Sequence, residues 1–276
     1  MWCHLIQMTS QPQPEQNLNR LNHWLSQLPR HREPSLVVLP ECALCFGTEG
    51  GWATLAEPDL NQHPDASDRA PMQTALASLA RQYGVYLVAG TLPILAEDGR
   101  AYAASLVYGP DGTRLGRYDK IHLFDVDVED GTGRYRESTH THPGSGLTLV
   151  DTPFGRLGLA VCYDVRFPEL FRALAEAGAT LIALPAAFTE PTGDAHWDIL
   201  VRARAIENQC YLLAAGQQGQ HANGRRTWGH SMVVNPWGRV VAQLPQGEGV
   251  VSAQIDSAEM ARIRDRLPAL KHRRLT

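Results

Sequence analysis

The strongest constraint on this 276-residue chain is a set of short, unbroken apolar runs. Ser35-Leu36-Val37-Val38-Leu39 stops at Pro40-Glu41, Val85 to Ala89 stops at Gly90, and Thr180 to Leu184 and Tyr211 to Ala215 repeat the pattern. Each has strand length and no polar alternation, as expected of inner strands buried on both faces. Between them lie stretches of helical periodicity. Residues 13 to 28 set Leu18, Leu21, Trp24, Leu25 and Leu28 on one face, and residues 71 to 83, 169 to 177 behind Pro168, and 196 to 209 also read as helices. Strands alternating with amphipathic helices in both halves predict an α/β protein whose helices cover sheet faces. No linker-like stretch interrupts the pattern, so residues 1–276 are read as one domain.

Shorter signals fill the intervals. Residues 2 to 8 suggest an opening strand, and 102 to 108 with 113 to 118 a hairpin about Gly109-Pro110-Asp111-Gly112. Residues 147 to 151 and 156 to 162 are strand-like around Pro153-Phe154-Gly155. The series 229 to 234, 239 to 243 and 249 to 255 follows, turning at Asn235-Pro236-Trp237-Gly238, before a closing helix over 257 to 265. The segment from Asp125 to Gly144, rich in Gly, charge and His, reads as a lid or pocket loop.

Charge and cysteine usage narrow the function. A formal charge of -4 carries no basic excess, which argues against nucleic acid or an anionic membrane as partner. No apolar run approaches the roughly 20 residues of a membrane span, and the start Met1-Trp2-Cys3-His4 does not look like a secretion signal, so a cytoplasmic location is expected. The odd, scattered set of 5 cysteines predicts reduced thiols. Cys42 and Cys45 form a C-x-x-C pair without the second ligand pair a zinc site wants, and His140 and His142 lack a third ligand, so no metal is expected.

Three reactive side chains stand just beyond strand-like runs. Glu41 follows Leu-Val-Val-Leu-Pro, Lys120 follows Gly-Arg-Tyr-Asp after the hairpin, and Cys162 ends Leu-Gly-Leu-Ala-Val. In α/β folds ligands bind in the crevice beyond the carboxyl ends of the strands. Taken singly, each has an ordinary reading: a cysteine there is usually a small buried hydrophobe, and a Glu or Lys a loop charge. Together they make a complete catalyst for amide hydrolysis without metal or organic cofactor. A thiol needs a base to take its proton, the tetrahedral intermediate needs donors, and the leaving nitrogen needs an acid. Glu41 serves as proton shuttle, Cys162 as nucleophile, and Lys120 with the backbone N–H of Tyr163 as oxyanion donors. A serine hydrolase is disfavoured because no Gly-x-Ser-x-Gly elbow is present, and neither Gly50-Gly51 nor Gly144-Ser145-Gly146 completes a phosphate-binding fingerprint.

The surroundings of these residues carry a resemblance. Leu39-Pro40-Glu41, the run from Arg117-Tyr118-Asp119-Lys120 to Phe124, and the run from Gly158 through Cys162-Tyr163-Asp164-Val165-Arg166-Phe167-Pro168-Glu169 are similar to the three motifs of the nitrilase, or carbon–nitrogen hydrolase, superfamily, in the family's order. The resemblance implies a four-layer α-β-β-α sandwich, a Glu41-Lys120-Cys162 triad and at least a homodimer. It also implies a second active-site glutamate at Glu137, orienting the lysine and substrate. Tyr163-Asp164, where nitrilases proper tend to carry Trp-Glu, resembles the amidase branch. Asp194 to Trp197, Arg202 to Tyr211, Gly229 to Gly238 and His272-Arg273-Arg274 are similar to the deaminated glutathione amidases of that branch. This implies hydrolysis of the 2-oxoglutaramate end of a transaminated glutathione, giving 2-oxoglutarate and cysteinylglycine. The ω-amidases, which act on free ω-amides of 2-oxo acids, share much of the pattern, and an idle dimeric scaffold is the remaining alternative. One departure is Gly193-Asp194 where relatives have Gly-Pro. For an anionic substrate, Arg166 is the candidate carboxylate donor, with a structural ion pair as its competing role. Phe124, Tyr163 and Phe188 are candidate pocket walls.

Overall fold

The computed structural model describes residues 1–29, 31–32, 35–48, 51–128 and 133–275. Two sheets form its centre. The first takes the order β18 (Gly249–Gln254), β1 (Trp2–Gln7), β2 (Leu36–Val38), β3 (Tyr86–Val88), β5 (Ala101–Tyr108), β4 (Leu92–Leu95), with β6 (Arg114–Asp119) and β9 (Thr141–His142) also pairing with β5. The second takes the order β10 (Leu149–Thr152), β11 (Gly155–Leu159), β12 (Leu181–Ala186), β13 (Tyr211–Gly216), β16 (Ser231–Val234), β17 (Val240–Leu244). The inner strands β1, β2 and β3 are parallel, as are β11, β12 and β13.

The unbroken apolar runs have a direct structural cause. Successive side chains point to opposite faces of a strand, so a strand between two cores must be apolar at every position. In β2, Leu36 and Val38 enter the core between the sheets, while Val37 and the following Leu39 enter the core under the helices Pro14–Ser26 and Pro71–Tyr83. In β3, Val88 goes one way and Leu87 the other. Helices Pro168–Glu176 and Asp198–Asn208 cover the outer face of the second sheet through Leu170, Phe171, Leu174, Val201 and Ala205. Helix, sheet, sheet, helix is the four-layer sandwich expected from the sequence.

Several expectations are corrected. Asp125 to Gly144 is more ordered than a loop: β7 (Asp125–Val128) pairs antiparallel with β8 (Gly133–Arg136), a 3-10 turn spans Glu137–Thr139, and β9 follows. Alternating Asp and Val at 125–128 allow a half-exposed strand there. Residues 129–132 of that segment lie outside the described residues. Cys162 does not end a strand: β11 stops at Leu159, and Cys162 opens a 3-10 turn over Cys162–Arg166. The helix expected over 196 to 209 spans Asp198–Asn208 and is preceded by a π-helical turn at Gly193–Trp197, which contains Asp194. Among the described residues no helix is long and apolar enough to cross a membrane.

Candidate active site

Glu41, Lys120 and Cys162 reach one point from three parts of the fold. Glu41 lies beyond the end of β2, and Gly90, in the equivalent place after β3, lets the chains pass. A Cβ on Gly90 would sit 2.0 Å from the Pro40 carbonyl oxygen, at a φ of +67° that already disfavours other residues. Lys120 follows β6, and its carbonyl accepts from the Gly144 N–H at 2.9 Å. Cys162 occupies the left-handed region, φ 47°, which turns its sulfur out of the strand direction.

The charges then interlock. Lys120 Nζ donates to Glu41 Oε1 at 2.9 Å and to Glu137 Oε1 and Oε2 at 3.0 and 2.9 Å, and its side chain is only 2% exposed. Burial alone would lower the lysine's pKa, but the carboxylates of Glu137 and Glu41 overcome that and hold it well above the usual lysine value, so it stays charged. Glu137 is itself aimed by the Phe124 N–H, which donates to its Oε2 at 2.6 Å. The Glu41 carboxyl and the Lys120 ammonium both lie close enough to act on the Cys162 thiol. Burial first and the Glu41 charge second push its thiol well above the ordinary value, against the weaker pull of Lys120. Cys162 therefore rests as a neutral thiol rather than a preformed thiolate. The Ala187 N–H donates to its sulfur at 3.5 Å.

The cavity holding these groups has a volume of about 310 Å³. All four candidate substrate residues, Phe124, Tyr163, Arg166 and Phe188, line it. Phe124 and Tyr163 meet at 5.1 Å between ring centroids, and the Arg166 guanidinium lies 5.3 Å from the Phe188 ring. Among the described residues Arg166 has no carboxylate partner; it contacts His196 Nδ1 at 3.3 Å, so the competing structural ion pair does not form. Arg134, Arg136 and Arg225 line the same cavity; Arg134 and Arg136 pair with Asp127, Arg225 has no carboxylate partner among the described residues, and the cavity's two carboxylates, Glu41 and Glu137, are engaged by Lys120. Such a cavity suits an anionic ligand.

Sequence reasoning passed over Asp164, although it lies in the quoted motif. Wholly buried, it accepts from the Val161 N–H (2.8 Å), the Tyr118 hydroxyl (2.7 Å) and the His122 N–H (3.1 Å), and it pairs with His122 Nδ1 (2.7 Å). One carboxylate thus ties the turn carrying Cys162 to the segment carrying Lys120. The signal available was a charged residue two places after the cysteine. Arg225 was also missed, because in the sequence it is one of two adjacent arginines in a Gly-containing turn. His140 lies exposed at the cavity, and His142 pairs with Asp98 and Arg100. Among the described residues no group of three or more His, Cys, Asp or Glu is arranged as a metal site.

A double-sheet fold with a Glu, a Lys and a Cys gathered beyond the strand ends defines a class. The family model for carbon–nitrogen hydrolases matches residues 5–265, and the chain belongs to that family. It is an enzyme of carbon–nitrogen bond hydrolysis, on the amidase side of the family. It is 44% identical to a deaminated glutathione amidase of Yersinia enterocolitica over 98% of this chain and 92% of that one. It is 37% identical to an omega-amidase of Xenopus laevis over 98% of this chain and 94% of that one. Its fold is similar to the crystal structure of Saccharomyces cerevisiae Nit3, a member of branch 10 of the nitrilase superfamily, with a TM-score of 0.87 and 30% identity over 100% of this chain and 97% of that one.

Proposed function

We propose that residues 1–276 act as one domain that hydrolyses deaminated glutathione through a thioester on Cys162. Glu41 takes the thiol proton as the sulfur attacks the amide carbon, and the oxyanion is held by Lys120 Nζ and the Tyr163 N–H. Glu41 then protonates the leaving nitrogen, releasing cysteinylglycine, and next deprotonates the water that cleaves the thioester to give 2-oxoglutarate and the free thiol. Glu137 orients Lys120. Arg166 takes the 2-oxo acid carboxylate between the walls of Phe124, Tyr163 and Phe188.

The observation that supports this most is the buried Lys120 ammonium bridging Glu41 and Glu137 beside Cys162 in a cavity rich in arginine. The similarity to the Yersinia amidase favours the peptide amide as substrate, and the omega-amidase relative supports the free ω-amide as the second reading. Kinetics on both amides separate them: a preference of tenfold or more for the short amide, about 1.4 kcal/mol, overturns the first choice. Mass spectrometry of enzyme quenched with substrate is expected to find the 2-oxoglutaryl thioester on the peptide containing Cys162; an adduct elsewhere overturns the mechanism.

The same reading extends to assembly and location. Ile199 and Ile206, seven residues apart on one helix, are 68% and 48% exposed, and Trp237 beside Ile206's contact Gly238 is 59% exposed. That apolar strip supports a homodimer formed through this face, checked by light scattering of wild type and Ile199→Glu. Five free thiols fit a reducing cytoplasm.

A further inference from the structure

Arg225 has surroundings that the proposed chemistry leaves unused. It sits in the turn between the strands Gln218–Gln220 and Arg226–Trp228, and its guanidinium lies over the rings of Phe46 and Tyr135, 5.2 and 4.9 Å from their centroids. One terminal nitrogen donates to the Ala187 carbonyl at 2.9 Å. The Nε is buried without a hydrogen-bond partner, and no carboxylate among the described residues pairs with the group. The enclosed Nε is out of a ligand's reach, but the guanidinium itself lines the cavity with its charge unbalanced by any described carboxylate, which leaves it able to pair with a bound anion.

Its position differs from that of Arg166. Arg166 stands over Tyr163 and Phe188, whereas Arg225 stands over Phe46 and Tyr135, and the Phe124 ring lies 5.1 Å from both Tyr163 and Tyr135. The cavity therefore presents two cations on separate aromatic supports, with Phe124 between them. A substrate with a carboxylate at each end offers one anion to each cation. We infer that Arg225 binds the carboxylate at the leaving-group end of the substrate and so selects an amide of a C-terminal amino acid or dipeptide over a bare ω-amide. This rests on the hydrolase reading above and deepens it: Arg166 takes the acyl end, Arg225 the departing end.

The competing role is structural. The Ala187 residue whose carbonyl Arg225 holds also gives its N–H to Cys162 Sγ, and in that role Arg225 acts only by positioning this residue. Crossing two variants with three amides separates the roles. The amides are 2-oxoglutaryl-cysteinylglycine, the same compound with its terminal carboxylate converted to carboxamide, and 2-oxoglutaramate. Wild type should lose about tenfold to hundredfold in kcat/KM when the carboxylate becomes carboxamide, as expected for a charge-assisted contact. Arg225→Gln should lose a similar factor on the parent compound and discriminate the two by less than about threefold, with Arg225→Lys intermediate. The ratio of parent to 2-oxoglutaramate should fall by about tenfold in Arg225→Gln. Equal losses on all three amides would assign Arg225 to positioning alone and overturn the inference. So would a wild type indifferent to the carboxamide change, a measurement that needs no variant to fold. Absence of wild-type turnover on every amide would instead reject the hydrolase reading, and this inference with it.

Discussion

Two turns of this molecule set a cysteine in the left-handed region beyond a strand, Cys42 at φ 55° and Cys162 at φ 47°, and both face the same cavity. Both are adjacent to the same glutamate in space or sequence, and burial, as the first cause, pushes both thiols well above the ordinary value. Their partners differ. The Cys42 sulfur meets the Thr91 hydroxyl at 3.9 Å, whereas the Cys162 sulfur receives the Ala187 N–H at 3.5 Å, and although the charges of Glu41 and Lys120 reach both thiols, Glu41 stands second among the causes at each while Lys120 weighs more at Cys162 than at Cys42. Backbone strain, burial and the nearby charges of Glu41 and Lys120 are thus common to the proposed nucleophile and its neighbour. What distinguishes them is the backbone N–H of Ala187 at the Cys162 sulfur, in place of a side-chain hydroxyl at Cys42.

The largest effect should come from deleting one thiol or the other. Cys162→Ala should lower kcat/KM by at least about 10⁴-fold, as for nucleophiles that act as part of a unit, while Cys42→Ala should cost less than about tenfold. Similar losses in the two variants would erase the distinction. Next, Lys120→Met should reduce kcat by about 10²–10³-fold through loss of an oxyanion donor. It also leaves Glu41 and Glu137 facing each other without their cation, so a calorimetric loss of about 3–5 kcal/mol in stability is expected, as for a broken buried ion pair.

Asp164→Asn tests whether the Cys162 turn depends on its carboxylate anchor. Replacing an oxygen that accepts hydrogen bonds with an amide nitrogen should cost about 1–3 kcal/mol in denaturant unfolding. Activity should fall with it, because the nucleophile and lysine segments share that anchor, whereas the Cys42 turn does not.

A smaller effect probes what the two thiols have in common. Burial pushes Cys3 and Cys45 up to about 12 and Cys210 to about 11, and Cys42 and Cys162 also move upward. In the unfolded chain these thiols lose protons near their ordinary value of 9.0, while the folded protein keeps them. Stability is then fully present below pH 9 and lost as pH rises toward about 11 to 12, by about 1.4 kcal/mol per pH unit for each thiol involved. Cys42→Ala and Cys162→Ala should each flatten this alkaline limb, despite their unequal effects on turnover. On the acid side, burial lowers His4 and His221 to about 4, so their contribution is present above pH 6.5 and lost as pH falls toward 4. Urea midpoints measured against pH check both limbs.

The linear chain determined much of this by itself. Unbroken apolar runs marked β2 and β3 because a strand between two cores has no polar face to show, and the helix Pro71–Tyr83 matched its expected bounds because Pro71 starts it and Gly84, at φ 61°, ends it. The motifs named Glu41, Lys120, Cys162 and Glu137 as a set. Tertiary structure alone decided that Lys120 bridges two glutamates, that Asp164 joins two distant segments, and that Arg225, 63 positions after Cys162, faces the same cavity. Periodicity and capping are local and survive in one dimension, but which side chains meet depends on strand order and on the packing of one sheet against the other. Those relations are fixed by contacts between residues far apart along the chain, for which this sequence carries no local sign.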